Sequence, residues 1–351
     1  MTPTSPTHPR EDGLGRGLLR FTLRYLALSS LSVLLFVAVV EIGLRLSGFR
    51  YVLMPEDIEF GRPGPVEIRV AFEPEDFLFW VTRDYPEKLA RFARERPRLL
   101  FLGDSCTQLG RWDELVVRRI ARERGEAPPW GNLAVAGWST FQGRRQLERD
   151  VVPLAPRVVT LYYGWNDHWI GFGVDDRTVA QVRTVFSTRL AALRSAQLAV
   201  KATVAWRARE TGFPERVALD DFRDNLASMV RTSRDHGIAP LLITAPSAHR
   251  RGAEPPELAT RWLRELSDLV PLHQTYVAAV REVAAAEGVP LCDAAAHFAS
   301  HDRETLEPLF FADGIHFTAA GDRVFGEVLF RCLERTGLLD ELLTAPARTT
   351  P

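Results

Sequence analysis

Leu99-Leu100-Phe101-Leu102-Gly103-Asp104-Ser105-Cys106-Thr107 places four apolar residues directly before a Gly-Asp-Ser turn. An apolar run this short, without polar alternation, predicts a strand buried on both faces of a parallel sheet. Four runs of the same kind follow, at Asn132–Ala134, Val158–Tyr163, Pro240–Thr244 and Val289–Cys292. Between them lie helical stretches at Asp113–Arg124, Phe141–Val151, Asp220–His236 and Leu272–Glu287, the last two stopped by Gly237 and Gly288. Strands alternating with helices imply an α/β domain, a three-layer α/β/α sandwich with a parallel sheet, over residues 98–340. In such a sheet ligands bind outside the carboxyl ends of the strands, where the Gly-Asp-Ser turn falls. Residues 176–210 form a long helical excursion after the third strand, suited to a lid or a partner surface.

Upstream, the pattern changes twice. Tyr25–Val40 carries no charge, and the apolar pattern resumes after Glu41 with Ile42, Gly43 and Leu44. These residues, 25–44, make a helix of about 20 residues, enough to cross the hydrocarbon core of a bilayer. The run exceeds a signal-peptide core and no small-residue cleavage site follows, so an uncleaved anchor over 19–46 is expected. Arg10, Arg16, Arg20 and Arg24 precede it, against Arg45 and Arg50 behind. That asymmetry places the N-terminus in the cytoplasm and the α/β domain in the periplasm or outside the cell. Residues 1–18 and 341–351 read as disordered tails. Residues 47–97, with Pro55, Pro63, Pro65 and Pro74, read as an approach segment folded onto the domain without joining its sheet.

Composition narrows the function by exclusion. A formal net charge of −1 gives no global attraction to nucleic acid, and no nucleic-acid partner is expected. The 44 basic residues include lysine only at positions 88 and 201, a bias without functional weight. Cys106, Cys292 and Cys332 have no metal-ligand spacing. They read as three buried thiols, with a Cys292–Cys332 bridge open if the domain lies in an oxidising compartment. No metal or cofactor is expected.

The chemistry-bearing residues fall into four blocks. Gly103 tolerates backbone conformations that would present Ser105 at the sheet mouth. Thr107 stands where an α/β-hydrolase elbow would need its second glycine. Asn132-Leu133-Ala134-Val135-Ala136-Gly137 ends in a glycine whose N–H can approach a substrate oxygen, and Gly164-Trp165-Asn166-Asp167 offers the Asn166 amide at the same sheet edge. Each block also reads as an ordinary turn. Asp313-Gly314-Ile315-His316 lets a carboxylate orient an imidazole, leaving the other ring nitrogen free for a serine proton. Asp-x-x-His could also be half of a metal site, but no further ligand cluster completes one.

The order Ser, Gly, Asn, His over roughly Arg98 to Leu333 resembles the SGNH hydrolases, also called the GDSL esterase/lipase family. The resemblance implies a flavodoxin-like fold and hydrolysis of carboxylic esters through an acyl-enzyme. By it, Ser105 is the nucleophile, His316 the general base and Asp313 its orienting carboxylate. The Ser105 and Gly137 backbones and the Asn166 side chain match the oxyanion hole. Cys106-Thr107 after the serine, the anchor and the 176–210 excursion are departures from the family pattern, and they leave the substrate open.

Three further residues are candidates for a substrate pocket: His168 and Trp169 after the Asn block, and His249 in the loop after Pro240–Thr244. Asp104 and Asp167 read as turn residues bonding backbone amides, and His297 and His301 as surface or packing residues. Trp138 and Trp165 offer faces for sugar rings, with ordinary burial as the competing reading. The expected partner is an ester substrate, an acylated envelope glycan or a lipid, with the protein partner unassigned. Two readings stand beside the esterase: an O-acyltransferase of an envelope polysaccharide using the same triad, and a non-catalytic anchored scaffold or glycan-binding module.

Overall fold

Five parallel strands form the central sheet of a computed structural model that describes residues 12–51, 72–171, 173–185, 190, 192–259 and 262–343. Of the expectations above, residues 1–11 and 344–351 of the tails and 52–71 of the approach segment lie outside the described residues. Numbered along the chain, the strands are β3 (Leu99–Gly103), β4 (Trp130–Asn132), β5 (Val158–Tyr162), β6 (Ala239–Ile243) and β7 (Leu291–Cys292), after an antiparallel hairpin of β1 (Phe72–Glu75) and β2 (Phe79–Thr82). Their spatial order is β4-β3-β5-β6-β7. The chain steps to one side of β3 for β4 and crosses to the other for β5, which is the flavodoxin-like order. The carboxyl ends of β3 and β5 therefore flank the topological switch point, with Gly103 paired to Tyr162.

Both faces of the sheet are covered, as the continuous apolar runs require. Leu100, Leu102, Val159, Leu161 and Leu242 pack with Phe222, Leu226 and Met229 of the Leu219–Asp235 helix and Val280 of the Leu269–Glu287 helix. Leu99, Phe101, Val158, Tyr162 and Ile243 pack with Trp112 and Val116 of the Trp112–Arg124 helix and with Phe325 and Leu329 of the Ala319–Arg335 helix. Alternate residues of one strand thus feed opposite layers, each fully buried Leu or Phe contributing roughly 1.5–3 kcal/mol. The stretch expected as one helix over Phe141–Val151 is α-helical only over Thr140–Gln146. It continues as a π turn and a 3-10 turn ending at Leu154, where Pro153 cannot extend an α-helical ladder.

The residues before Arg98 contribute to the core. Leu78, Phe79, Trp80 and Val81 are buried, as are Tyr85 and Phe92 of the Tyr85–Glu95 helix. The Tyr85 hydroxyl donates to Asp150 Oδ2 at 2.7 Å.

Cys292 and Cys332 are joined in a disulfide, which replaces the expectation of three thiols; Cys106 alone is free, and buried. The bridge ties the end of β7 to the helix that follows His316, across a separation of 40 residues. A loop of that length is worth about 4 kcal/mol in the chain-entropy account. Reduction, or Cys292→Ala with Cys332→Ala, is therefore expected to lower the Tm by several degrees. An unchanged melting curve in dithiothreitol would show that the bridge carries no stability.

The chain divides into two compact units: Leu53–Val185 with Val204–Pro351, which holds the sheet, and Met1–Val52 with Phe186–Thr203. In the second, one helix spans Asp12–Leu46, so residues 12–18 continue the helix rather than forming a tail. Its Phe21–Leu46 portion has a mean hydropathy of 2.2 and is long and apolar enough to cross a membrane. Leu34 and Phe36 are 66% and 69% exposed. Glu41 accepts from the backbone N–H and hydroxyl of Ser195, at 2.8 and 2.9 Å, in the first turn of the Arg194–Thr211 helix. A carboxylate is favoured at a helix N-terminus.

Candidate active site

Gly103 ends β3 because a side chain would not fit there: a Cβ would lie 2.6 Å from the Tyr162 carbonyl oxygen. The chain then turns, and Asp104 Oδ1 accepts from the Cys106 N–H at 2.9 Å to start the short Ser105–Gln108 helix. Ser105 is the first helical residue and retains 8% exposure.

The loop before the Ala319–Arg335 helix brings Asp313 and His316 to Ser105. Asp313 Oδ1 accepts from the backbone N–H groups of Ile315 and His316 at 2.9 and 3.0 Å, folding the Asp-Gly-Ile-His turn on itself. Asp313 Oδ2 lies 2.7 Å from His316 Nδ1, and His316 Nε2 lies 2.8 Å from Ser105 Oγ. Burial pushes the Asp313 carboxyl up, but the His316 ring and the two amides outweigh it and hold it below the usual carboxylate range. An ionised acceptor at Oδ2 fixes the ring proton on Nδ1, leaving the Nε2 lone pair for the serine hydroxyl.

Gly137 and Asn166 follow β4 and β5, the two strands that flank β3. The Val135 N–H donates to the Gly103 carbonyl at 3.2 Å, and the Ala136 N–H to Gln108 Oε1 at 2.6 Å, which ties the turn bearing Gly137 to the serine helix. Gly137 has φ +79 and Gly164 φ +132, both in the region that favours glycine. Asn166 Nδ2 donates to Asp104 Oδ2 at 2.9 Å, so one carboxylate links the Asn block to the serine turn. Burial pushes Asp104 up to about 6 against the pull of the Cys106 amide and Asn166. Asp167 accepts from the Thr140 N–H at 2.8 Å, and burial pushes it up to about 7. Asp104 bonds an amide of its own turn, as expected, whereas Asp167 reaches outside its turn to the Thr140 amide.

The pocket candidates separate. His168 is buried, with Nε2 3.1 Å from His273 Nδ1, and His273 Nε2 donates to the Ala245 carbonyl at 2.9 Å. Burial depresses both imidazoles, His273 to about 3, so the pair is neutral. His168 lines a cavity of about 270 Å³ with Ile170, Glu215 and Arg264; none of Ser105, Asp313 and His316 lines it. Trp169 is buried and stacks on Trp165 at 5.9 Å. Trp138 and Trp165 are buried as well, which removes the open sugar-stacking faces considered for them. His249 does reach the triad loop. Its Nε2 donates to the Asp313 carbonyl at 2.7 Å and its Nδ1 is 3.0 Å from Ser247 Oγ. A Cβ on Gly314 would stand 2.6 Å from His249 Nε2, so the glycine makes room for this ring. His249 therefore packs on the backbone of the Asp313 turn.

Three contributors escaped the sequence reading. Asn132 donates to the Thr107 carbonyl and to Asp113 at 2.9 and 2.8 Å, joining β4 to the serine helix. Arg216, paired with Asp176, donates to the Gly137 carbonyl, and Trp80 donates to the Ala136 carbonyl. The one local signal was Asn132 at the start of its block. The other two come from far along the chain. Among the described residues no group of three or more His, Cys, Asp or Glu could hold a metal ion.

Among solved structures, the chain is similar to a lipase/acylhydrolase from Enterococcus faecalis (20% identity, 68% of this chain and 96% of that one, TM-score 0.45). It is also similar to a GDSL-like lipase from Bacteroides thetaiotaomicron (19%, 72% and 98%, 0.46). A variant of an acetyl xylan esterase from Geobacillus stearothermophilus matches to a like degree (19%, 72% and 97%, 0.43). No curated protein sequence matches this chain. The profile of the GDSL-like lipase/acylhydrolase family matches residues 101–324, a span that starts within β3, takes in all four blocks and ends inside the helix after His316. With a parallel sheet in flavodoxin-like order, the Ser, Gly and Asn blocks after its strands and the His block before the Ala319–Arg335 helix, the chain belongs to the GDSL-like lipase/acylhydrolase family.

Proposed function

We propose that this protein is a membrane-anchored serine esterase that cleaves carboxylic esters through an acyl-enzyme on Ser105. The observation that carries the reading is the continuous contact from Asp313 through His316 to Ser105, at 2.7 and 2.8 Å. His316 Nε2 takes the hydroxyl proton as Oγ attacks the ester carbonyl, and the imidazolium formed is stabilised by Asp313. The N–H groups of Ser105 and Gly137 and the Asn166 amide are the donors for the carbonyl oxygen as it becomes negative. His316 returns the proton to the departing alkoxide, releasing the alcohol. It then deprotonates a water, which attacks the acyl carbonyl; as the bond to Ser105 Oγ breaks, His316 gives the proton to that oxygen, freeing the acid and restoring the serine. The intact contacts argue against a non-catalytic scaffold.

The disulfide favours an oxidising compartment and agrees with the arginine asymmetry around the apolar helix, so the domain is assigned to the non-cytoplasmic side. O-acyl groups on an envelope glycan are then the substrate class within reach.

The test is turnover of p-nitrophenyl acetate, butyrate and octanoate by the full-length protein in detergent, with labelling by a fluorophosphonate. Turnover is expected, and the label should map to Ser105 and be lost in Ser105→Ala. Labelling elsewhere, or equal labelling of both proteins, would remove the assignment.

A further inference from the structure

A glycine is the hardest residue to hold still, because no Cβ restricts its φ and ψ. A donor that stabilises developing charge is effective only if it is already aimed before the reaction. The surroundings of Gly137 meet that requirement from outside the family-matched span. The Trp80 indole N–H, on β2, donates to the Ala136 carbonyl at 3.1 Å. The chain has no cis peptide bond among the described residues, so the Ala136 carbonyl and the Gly137 N–H belong to one trans peptide plane and point in opposite directions. Fixing that carbonyl therefore fixes the direction of the Gly137 N–H.

The peptide on the other side of Gly137 is held as well. Arg216 Nη1 donates to the Gly137 carbonyl at 2.5 Å, and the guanidinium is gripped by Asp176 through Nε and Nη2 at 3.1 and 2.8 Å. Both members of this ion pair are buried. The Arg216 guanidinium carbon also lies 5.6 Å from the centre of the Trp80 ring, and Trp138 Nε1 donates back to the Trp80 carbonyl at 3.0 Å. Both carbonyls flanking the Gly137 Cα are thus occupied by donors on rigid, buried side chains, which locks a residue at φ +79.

From this arrangement we infer that Trp80 is a positioning residue for ester hydrolysis: through the Ala136 carbonyl it aims the Gly137 N–H as an oxyanion donor. The β1–β2 hairpin, which precedes the family-matched span, is in this way a working part of the active site. The inference rests on the proposed serine-esterase reading.

The experiment compares Trp80→Phe with Tyr85→Phe in the full-length protein. Each keeps an aromatic ring and loses one buried donated hydrogen bond, to the Ala136 carbonyl and to Asp150 respectively, but only the first frees a carbonyl in the peptide plane of Gly137. Trp80→Phe is expected to lower kcat for p-nitrophenyl acetate about 10-fold, a part of the roughly 10²–10³ that loss of a whole donor costs. KM should stay within about twofold, since only the transition state uses the donor. Affinity for an arylboronic acid, whose tetrahedral adduct places an oxygen in the hole, should fall in step with kcat. Tyr85→Phe should keep kcat within about twofold of wild type. If Trp80→Phe does not fold, the benzothiophene analogue of tryptophan at position 80 keeps the ring shape without the N–H and reads the same quantities. With Ser105→Ala inactive, equal kcat values for the Trp80 and Tyr85 variants overturn the inference alone. Wild-type turnover in Ser105→Ala overturns the esterase reading and the inference with it.

Discussion

Ser105→Ala and His316→Ala are each expected to lower kcat for p-nitrophenyl acetate by about 10⁶-fold, and the double variant by little more than either alone. The non-additivity follows from the geometry. A serine hydroxyl has almost no nucleophilicity until a base takes its proton, and in the proposed mechanism that base is the His316 Nε2 lone pair 2.8 Å away. Removing either partner removes the same event. Asp313→Asn should cost less, about 10⁴-fold. Its Oδ1 is already committed to the Ile315 and His316 amides, so an asparagine would turn its NH₂ toward His316 Nδ1. That donor demands the opposite tautomer, with the ring proton on Nε2 facing Ser105. Steady-state kcat on variants with unchanged circular dichroism checks the series. A His316→Ala protein retaining more than about one hundredth of the wild-type rate would place the base elsewhere.

The parts of this site legible in the sequence are those built from neighbours along the chain. Leu99–Leu102 declares a buried strand, and a turn glycine, an acidic N-cap and the serine follow within three residues. The Asp313–His316 spacing likewise encodes its own turn, because the carboxylate bonds the two amides that bring the ring round. What could not be read is whatever arrives from a distance. Trp80 reaches Ala136 across 56 positions, from a hairpin whose strands are only four residues long. Asp176 opens a stretch that reads as a surface excursion, yet it is fully buried against Arg216, and nothing marks that arginine out in an arginine-rich chain. His168 follows the Asn block and invites a role at substrate, but its partner His273 lies 105 positions on, and the two close into a neutral buried pair. Glu41 interrupts an apolar run without apparent reason until Ser195 is seen to be its partner.

Asn166→Ala is expected to lower kcat about 10²–10³-fold with KM changed by no more than a few-fold, as the loss of one preorganised oxyanion donor. The amide carries two N–H groups, one of which is taken by Asp104 Oδ2 at 2.9 Å. That bond turns the second toward the remaining half of the amide's plane, so Asp104 sets where the free donor points. The carboxylate is the stronger acceptor, but burial pushes its pKa up to about 6, and its charge is therefore present above that pH and lost as the pH falls through it. Asp104→Asn replaces a charged acceptor by a neutral one. The ratio of wild-type to variant kcat should be largest near pH 8, about 10-fold, and should shrink toward unity near pH 5, where the wild-type carboxyl is itself protonated. A ratio constant from pH 5 to pH 8 would mean that the Asp104 charge does not hold Asn166, and that the amide is positioned by its own turn alone.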